Sequence, residues 1–181
     1  MNRFLVCLLT LLPAFASAAP YRLPLDGCDE PEDCQPSTLN RCYITAYMDH
    51  SGKDWNCGTW RYGGHKGTDF GVGGVYNERP VVAAADGAVV QVNDGCDDHN
   101  SSLQNCSCGG GFGNFVKLRH ADGQQTIYGH MAKGSVEVST GQQVTCGTLL
   151  GKVASSGCST GPHLHFEVID PTYGSDDPYS G

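Results

Sequence analysis

Between residues 60 and 170 the chain is cut into short apolar and β-branched runs, and no stretch of ten residues carries the 3.6-residue period of an amphipathic helix. That pattern leaves no way to build a helical core. The runs lie at 79–85, 87–93, 114–120, 124–128, 135–138, 149–154 and 163–169, with an earlier one at 42–47 whose Tyr43, Ile44 and Thr45 suit a strand. Glycines, 25 in all, fall at the turns between them, and Asp122-Gly123 separates two runs as a hairpin signal. The expected fold is all-β, with antiparallel sheets in a sandwich or barrel.

The run at 163–169 carries the chemistry. Leu164, Phe166 and Val168 alternate with His163, His165 and Glu167, so an apolar side faces the core and a polar side faces a cleft. Two imidazoles then look into one space. Such a pair supplies half of a site for a borderline cation such as zinc. Candidates for the other half are His65 and Asp69, four apart in Gly64-His65-Lys66-Gly67-Thr68-Asp69-Phe70, and His130 in Tyr128-Gly129-His130-Met131. His50, His99 and His120 receive no function. Glu167 is either an orienting partner for a histidine or a simple strand carboxylate, and Tyr128 suits a buried strand tyrosine better than a substrate contact.

Residues 1–18 have the form of a secretory signal, with Arg3 before an apolar run too short to span a bilayer and Ala16-Ser17-Ala18 as a cleavage site. The expected product is secreted or periplasmic, without a membrane anchor and monomeric. Ten cysteines in 181 residues agree with an oxidising compartment, and nine remain once Cys7 leaves with the signal. Strand proximity pairs Cys42 with Cys57 and Cys146 with Cys158. A zinc site at Cys106-Ser107-Cys108 is the weaker alternative, because one intervening residue is fewer than such sites use. The net charge of −8, without a Lys/Arg run, excludes a nucleic-acid footprint. Residues 94–111 form a long polar loop with three cysteines, either a wall for substrate selection or a tied-down surface excursion.

Taken in order, Gly64 to Phe70, Pro80 to Gly87, Gly111-Phe112-Gly113-Asn114, Tyr128 to Met131 and Gly161 to Glu167 resemble the motifs of the lysostaphin and LytM type of zinc endopeptidases. The likeness covers residues 60–169 and implies a LytM-type catalytic fold, related to lipoyl-like barrels. It implies that His65, Asp69 and His165 hold Zn2+ and that His130 and His163 are catalytic, with a peptidoglycan peptide as substrate. The expected organisation is a signal at 1–18, a cysteine-rich extension at 19–59 and a zinc metallopeptidase domain at 60–181. No large inhibitory prodomain is expected, although Asn40 or Asn56 could block the open metal position. The competing readings are a non-catalytic peptidoglycan-binding regulator of another hydrolase and a zinc peptidase acting on protein substrates.

Overall fold

The computed structural model describes residues 21–26, 43–54, 58–73, 79–98, 103 and 106–177. The expected signal at 1–18, the Cys42–Cys57 pair and the blocking residues Asn40 and Asn56 lie outside these. Ten strands follow in chain order: β1 (Tyr43–Ala46), β2 (Thr68–Gly71), β3 (Pro80–Val82), β4 (Gly87–Asn93), β5 (Asn114–Arg119), β6 (Gln125–Met131), β7 (Gln143–Val144), β8 (Leu149–Lys152), β9 (His163–Asp170) and β10 (Gly174–Asp176). A 3-10 turn at Cys108–Gly111 is the helical segment among them. The large sheet runs β1-β2-β9-β6-β5-β4-β7 with β10 also on β9, every pair antiparallel, and β3 pairs with β8 in a second, two-stranded sheet. The expectation of antiparallel all-β architecture holds. No described helix is long and apolar enough to cross a membrane.

Alternation along the strands sorts the two faces of the large sheet. Phe70 of β2, Val116 and Leu118 of β5, Tyr128 of β6 and Leu164, Phe166 and Val168 of β9 point inward against Val81, Leu150 and Val153. Residues 21–26 close this core. Leu25 is fully buried and bridges Val81, while Val82 N–H donates to Pro24 O. The opposite face of the same sheet is left for polar residues, and the candidate site stands there. Tyr128 is wholly buried, its hydroxyl accepting the Ala84 N–H at 2.8 Å, which makes it a core residue.

The structure departs from the sequence expectations in three places. Residues 135–138 form no strand, since Glu137 N–H donates singly to Leu150 O and no ladder follows. Strands β2, β7 and β10 were not expected, because each has only two to four residues and too little pattern to register. Cys158 is bonded to Cys106 and not to Cys146, which is an exposed free thiol, and a second disulfide joins Cys96 to Cys108. Cys146 precedes β8 with its Sγ against Ala84 O, whereas Cys158 lies beside the 94–111 insertion and donates its N–H to Gly111 O. Sequence order gave no hint of that neighbour. The disulfides also remove the cysteine zinc site considered for Cys106 and Cys108.

Candidate metal centre

Register brings the first three residues together. In the β2–β9 ladder Asp69 faces His165, and in β6–β9 Gly129 faces His165, so all three share the outer face. Gly129 brings no side chain to that face, and Phe112 lies over it. His65 enters from the loop before β2, with its ring stacked on Tyr62 at 4.2 Å between centroids. The result is a triangle of donor atoms: His65 Nε2 to Asp69 Oδ1 at 3.0 Å, His165 Nδ1 to Asp69 Oδ1 at 2.9 Å, and His65 Nε2 to His165 Nδ1 at 3.2 Å. All three side chains are buried.

The proton positions follow from the partners. His65 Nδ1 lies 2.7 Å from Tyr47 O, and a carbonyl only accepts, so Nδ1 carries the hydrogen and Nε2 turns its lone pair into the triangle. His165 presents Nδ1 to the triangle and Nε2 to Glu167 Oε2 at 3.5 Å, an ion-pair contact longer than a hydrogen bond. Glu167 is itself held by Ser175, whose hydroxyl donates to Oε1 at 2.6 Å. A carboxylate behind a ligating histidine is the arrangement that fixes ring orientation in metal sites.

Electrostatics describe the same cluster. Burial favours the neutral Asp69 carboxyl, but the hydrogen bond from His165, with the neighbouring charges of His163 and His165, outweighs it and holds its pKa far below the usual carboxylate range. Burial likewise disfavours a charged His165, yet Asp69 and Glu167 raise its pKa to about 9. Without metal, a proton on His165 Nδ1 binds the triangle together. A cation would take its place.

The donor set fits one. A tetrahedral zinc ion held at about 2.0–2.1 Å separates neighbouring donors by about 3.3 Å, close to the observed edges, and two imidazole nitrogens with one carboxylate oxygen suit zinc. Three protein donors leave a fourth position open.

The remaining two histidines reach the same space by different routes. His163 sits two residues before His165 on the same face of β9, with Nδ1 2.8 Å from Gly161 O and Nε2 3.7 Å from Asp69 Oδ2. His130 follows Tyr128 by two, so alternation alone would bury it in the core. A bulge prevents this. Asn114 and Val116 of β5 pair with Met131 and Tyr128, giving β6 one extra residue, and His130 takes φ +60°. Its ring thereby swings out to lie 4.6 Å from that of His163 and 5.9 Å from that of His165. Phe112 O accepts the His130 N–H, and Ser156 O accepts its Nδ1–H, both at 2.7 Å. Burial, reinforced by the neighbouring His163 and His165, lowers the His130 pKa to about 3, and burial also lowers that of His163.

Tyr62, Phe112 and Ser156 received no role from the sequence. Tyr62 donates its hydroxyl to Asp69 Oδ2 at 3.2 Å, Phe112 stands 5.6 Å from the His165 ring, and the Ser156 carbonyl anchors His130. Only Phe112 lay within a recognisable motif; the other two carry no local signal. The histidines without an assigned role behave as structural groups. His120 bridges Asp86 O and Thr126 Oγ1, His50 pairs with Asp177, and His99 lies outside the described residues.

Known proteins resemble the chain over the segment that carries this site. The chain is 39% identical over 109 residues to an uncharacterized metalloprotease of Haemophilus influenzae, covering 60% of this chain and 19% of that one. It is 34% identical over 113 residues to the peptidoglycan DD-endopeptidase ShyA of Vibrio cholerae, covering 61% and 21%. The chain thus spans about a fifth of the length of these curated relatives. A crystal structure of a putative M23 peptidase from Pseudomonas aeruginosa aligns with a TM-score of 0.55 and 25% identity, over 90% of this chain and 50% of that chain. Residues 63–176, which contain all five of the candidate site residues, match the model of peptidase family M23, and the chain belongs to that family of peptide hydrolases.

Proposed function

We propose that this protein is an exported zinc endopeptidase that hydrolyses peptide bonds in peptidoglycan cross-links. The observation that carries the reading is the His65, Asp69 and His165 triangle, with edges of 2.9–3.2 Å, set beside two neutral histidines. His65 Nε2, Asp69 Oδ1 and His165 Nδ1 are the proposed zinc ligands. A zinc ion there supplies Lewis acidity and lowers the pKa of a water to about 7.

The chain's own residues do the proton work. His130 and His163 each commit Nδ1–H to a carbonyl, so each offers an unprotonated Nε2, and burial keeps both rings neutral at pH 7. Either can take the proton of the attacking water. With ring centroids 4.6 Å apart they cannot both hold a charge easily, so one accepts while the other stays neutral. The ring that has accepted becomes a donor at Nε2, able to stabilise the oxyanion and then protonate the leaving amine. Glu167 steadies His165 from behind.

The substrate class rests on family membership and on the printed role of the ShyA relative as a peptidoglycan DD-endopeptidase. Export follows from the substrate, which lies outside the cytoplasmic membrane, and suits a chain with two disulfides among its described residues. Purified sacculi digested with the protein, with and without a chelator, provide the test. The expected result is new amine termini at one cross-link bond, absent under chelation and restored by zinc. Sacculi left intact by zinc-loaded protein would remove the endopeptidase reading.

A further inference from the structure

Beside the metal centre, on the same face of the large sheet, runs a groove of about 370 Å³. Its apolar lining is Phe112, Phe115 and Ile127, its polar lining Gln91, Asn93 and Lys117, and the glycines of the 3-10 turn wall one side. Phe112 belongs to both places: its ring lies 5.6 Å from that of His165. Ile127 pairs with Glu167 on one side and with Lys117 on the other, so Lys117 stands two strands from β9, about 10 Å from Glu167 and about 12 Å from His165 at ordinary strand and residue spacing.

Lys117 has no structural use for its charge. Its cross-strand neighbours are Gln91 and Ile127, both neutral, and it makes no ion pair or side-chain hydrogen bond with any described residue. Arg119, two residues on and on the same outward side of β5, is equally unpaired among the described residues. The acids of the nearby insertion are engaged elsewhere. Asp97 pairs with Lys133, and Asp94 accepts the N–H groups of Gly134 and Val136. An unneutralised Lys117 therefore lines an apolar slot, with Arg119 outside the lining two residues further along β5, in a chain of net charge −8 that otherwise repels anions. Asn93 adds a fixed amide, because its Nδ2 donates to Gly113 O at 2.7 Å and its Oδ1 remains available.

We infer that this groove is a substrate subsite in which Lys117, supported by Arg119, binds a free carboxylate of the cross-link peptide. The inference rests on the peptidoglycan reading and deepens it. The preferred cross-link carries an acidic residue within about three residues of the scissile bond, at about 3.4 Å per extended residue, and an uncharged glycine bridge is disfavoured. The 3-10 turn at Cys108–Gly111 builds one wall of the subsite.

Two synthetic cross-linked peptide dimers decide it, one with the free carboxylate and one with that group amidated, both N-methylated at the cross-link amide to prevent turnover. Calorimetric titration of the zinc-loaded protein should give roughly fivefold tighter binding of the acid, weakening with salt. Lys117→Gln should abolish the preference and Lys117→Arg should retain it, the latter controlling for folding. Equal affinity for acid and amide in the parent, or a preference that survives in the Lys117→Gln, Arg119→Gln double variant, overturns the subsite. Turnover of the unmethylated acid dimer reads the endopeptidase separately: an acid preference without cleavage keeps the subsite and removes the enzyme.

Discussion

His130 stands in the cleft only because its backbone breaks the alternation of its strand. A left-handed φ on a non-glycine residue is uncommon and costs on the order of 1–3 kcal/mol, so the Phe112 and Ser156 carbonyls that hold it are part of the site. At this scale the five histidine and aspartate positions separate by the measurement that responds to each. His165→Ala should abolish both metal binding and activity, checked by metal analysis and sacculus digestion; stoichiometric zinc in the variant would contradict the proposed ligand set. His163→Ala should retain metal and lose about 10²- to 10⁴-fold in rate, the ordinary worth of a general base. Full activity would take His163 out of the mechanism. Residue types and spacing were enough to nominate these positions, but the tautomers were not readable, because the accepting carbonyls come from Tyr47, Ser156 and Gly161.

Elements decide how those residues are held. The insertion at 94–111 is fastened by Cys96–Cys108 within itself and by Cys106–Cys158 to the turn that precedes β9. Asn114 completes the attachment: Oδ1 accepts the Gly95 and Cys96 N–H groups, and Nδ2 donates to Cys96 O and Met131 O. Cys158 is two residues from Ser156, whose carbonyl anchors His130. Cys158→Ser should therefore lower stability by about 2–4 kcal/mol and reduce the rate while zinc stays bound, measured by denaturant unfolding and by single-turnover digestion. Unchanged turnover in the folded variant would show that the bond serves stability alone. A long loop with three cysteines signalled confinement, but its partner was out of reach because Cys106 and Cys158 are 52 residues apart.

For the molecule as a whole, the buried charges set a stability optimum in pH. In metal-free protein the folded pKa of His165, about 9, lies above an unfolded value of about 6.5. Its stabilisation is fully present below about 6.5 and is lost as pH rises through 9. His130 is the opposite case: with a folded pKa of about 3 the unfolded chain takes the proton first, so stability is lost as pH falls below about 6.5. Asp69, held well below the carboxylate range, adds to the acid limb below about pH 4. Thermal melts of chelated protein should peak near pH 6.5, and saturating zinc should flatten the alkaline limb by replacing the His165 proton. An alkaline limb unchanged by zinc would place the metal elsewhere.

Composition and pattern alone determined that the chain is an antiparallel β protein, because glycine-punctuated runs without a helical period permit little else, and that His163 and His165 share a face, because strand alternation is local. Ordered motifs were also sufficient to nominate His65, Asp69 and His130. Only the tertiary structure decided that His130 leaves the core through a bulge, that Cys158 takes Cys106 as its partner, and that Phe112 flanks the centre. Each of these depends on pairing between segments distant in the chain, whose register is set by the packing of the whole core and by no residue's neighbours in sequence.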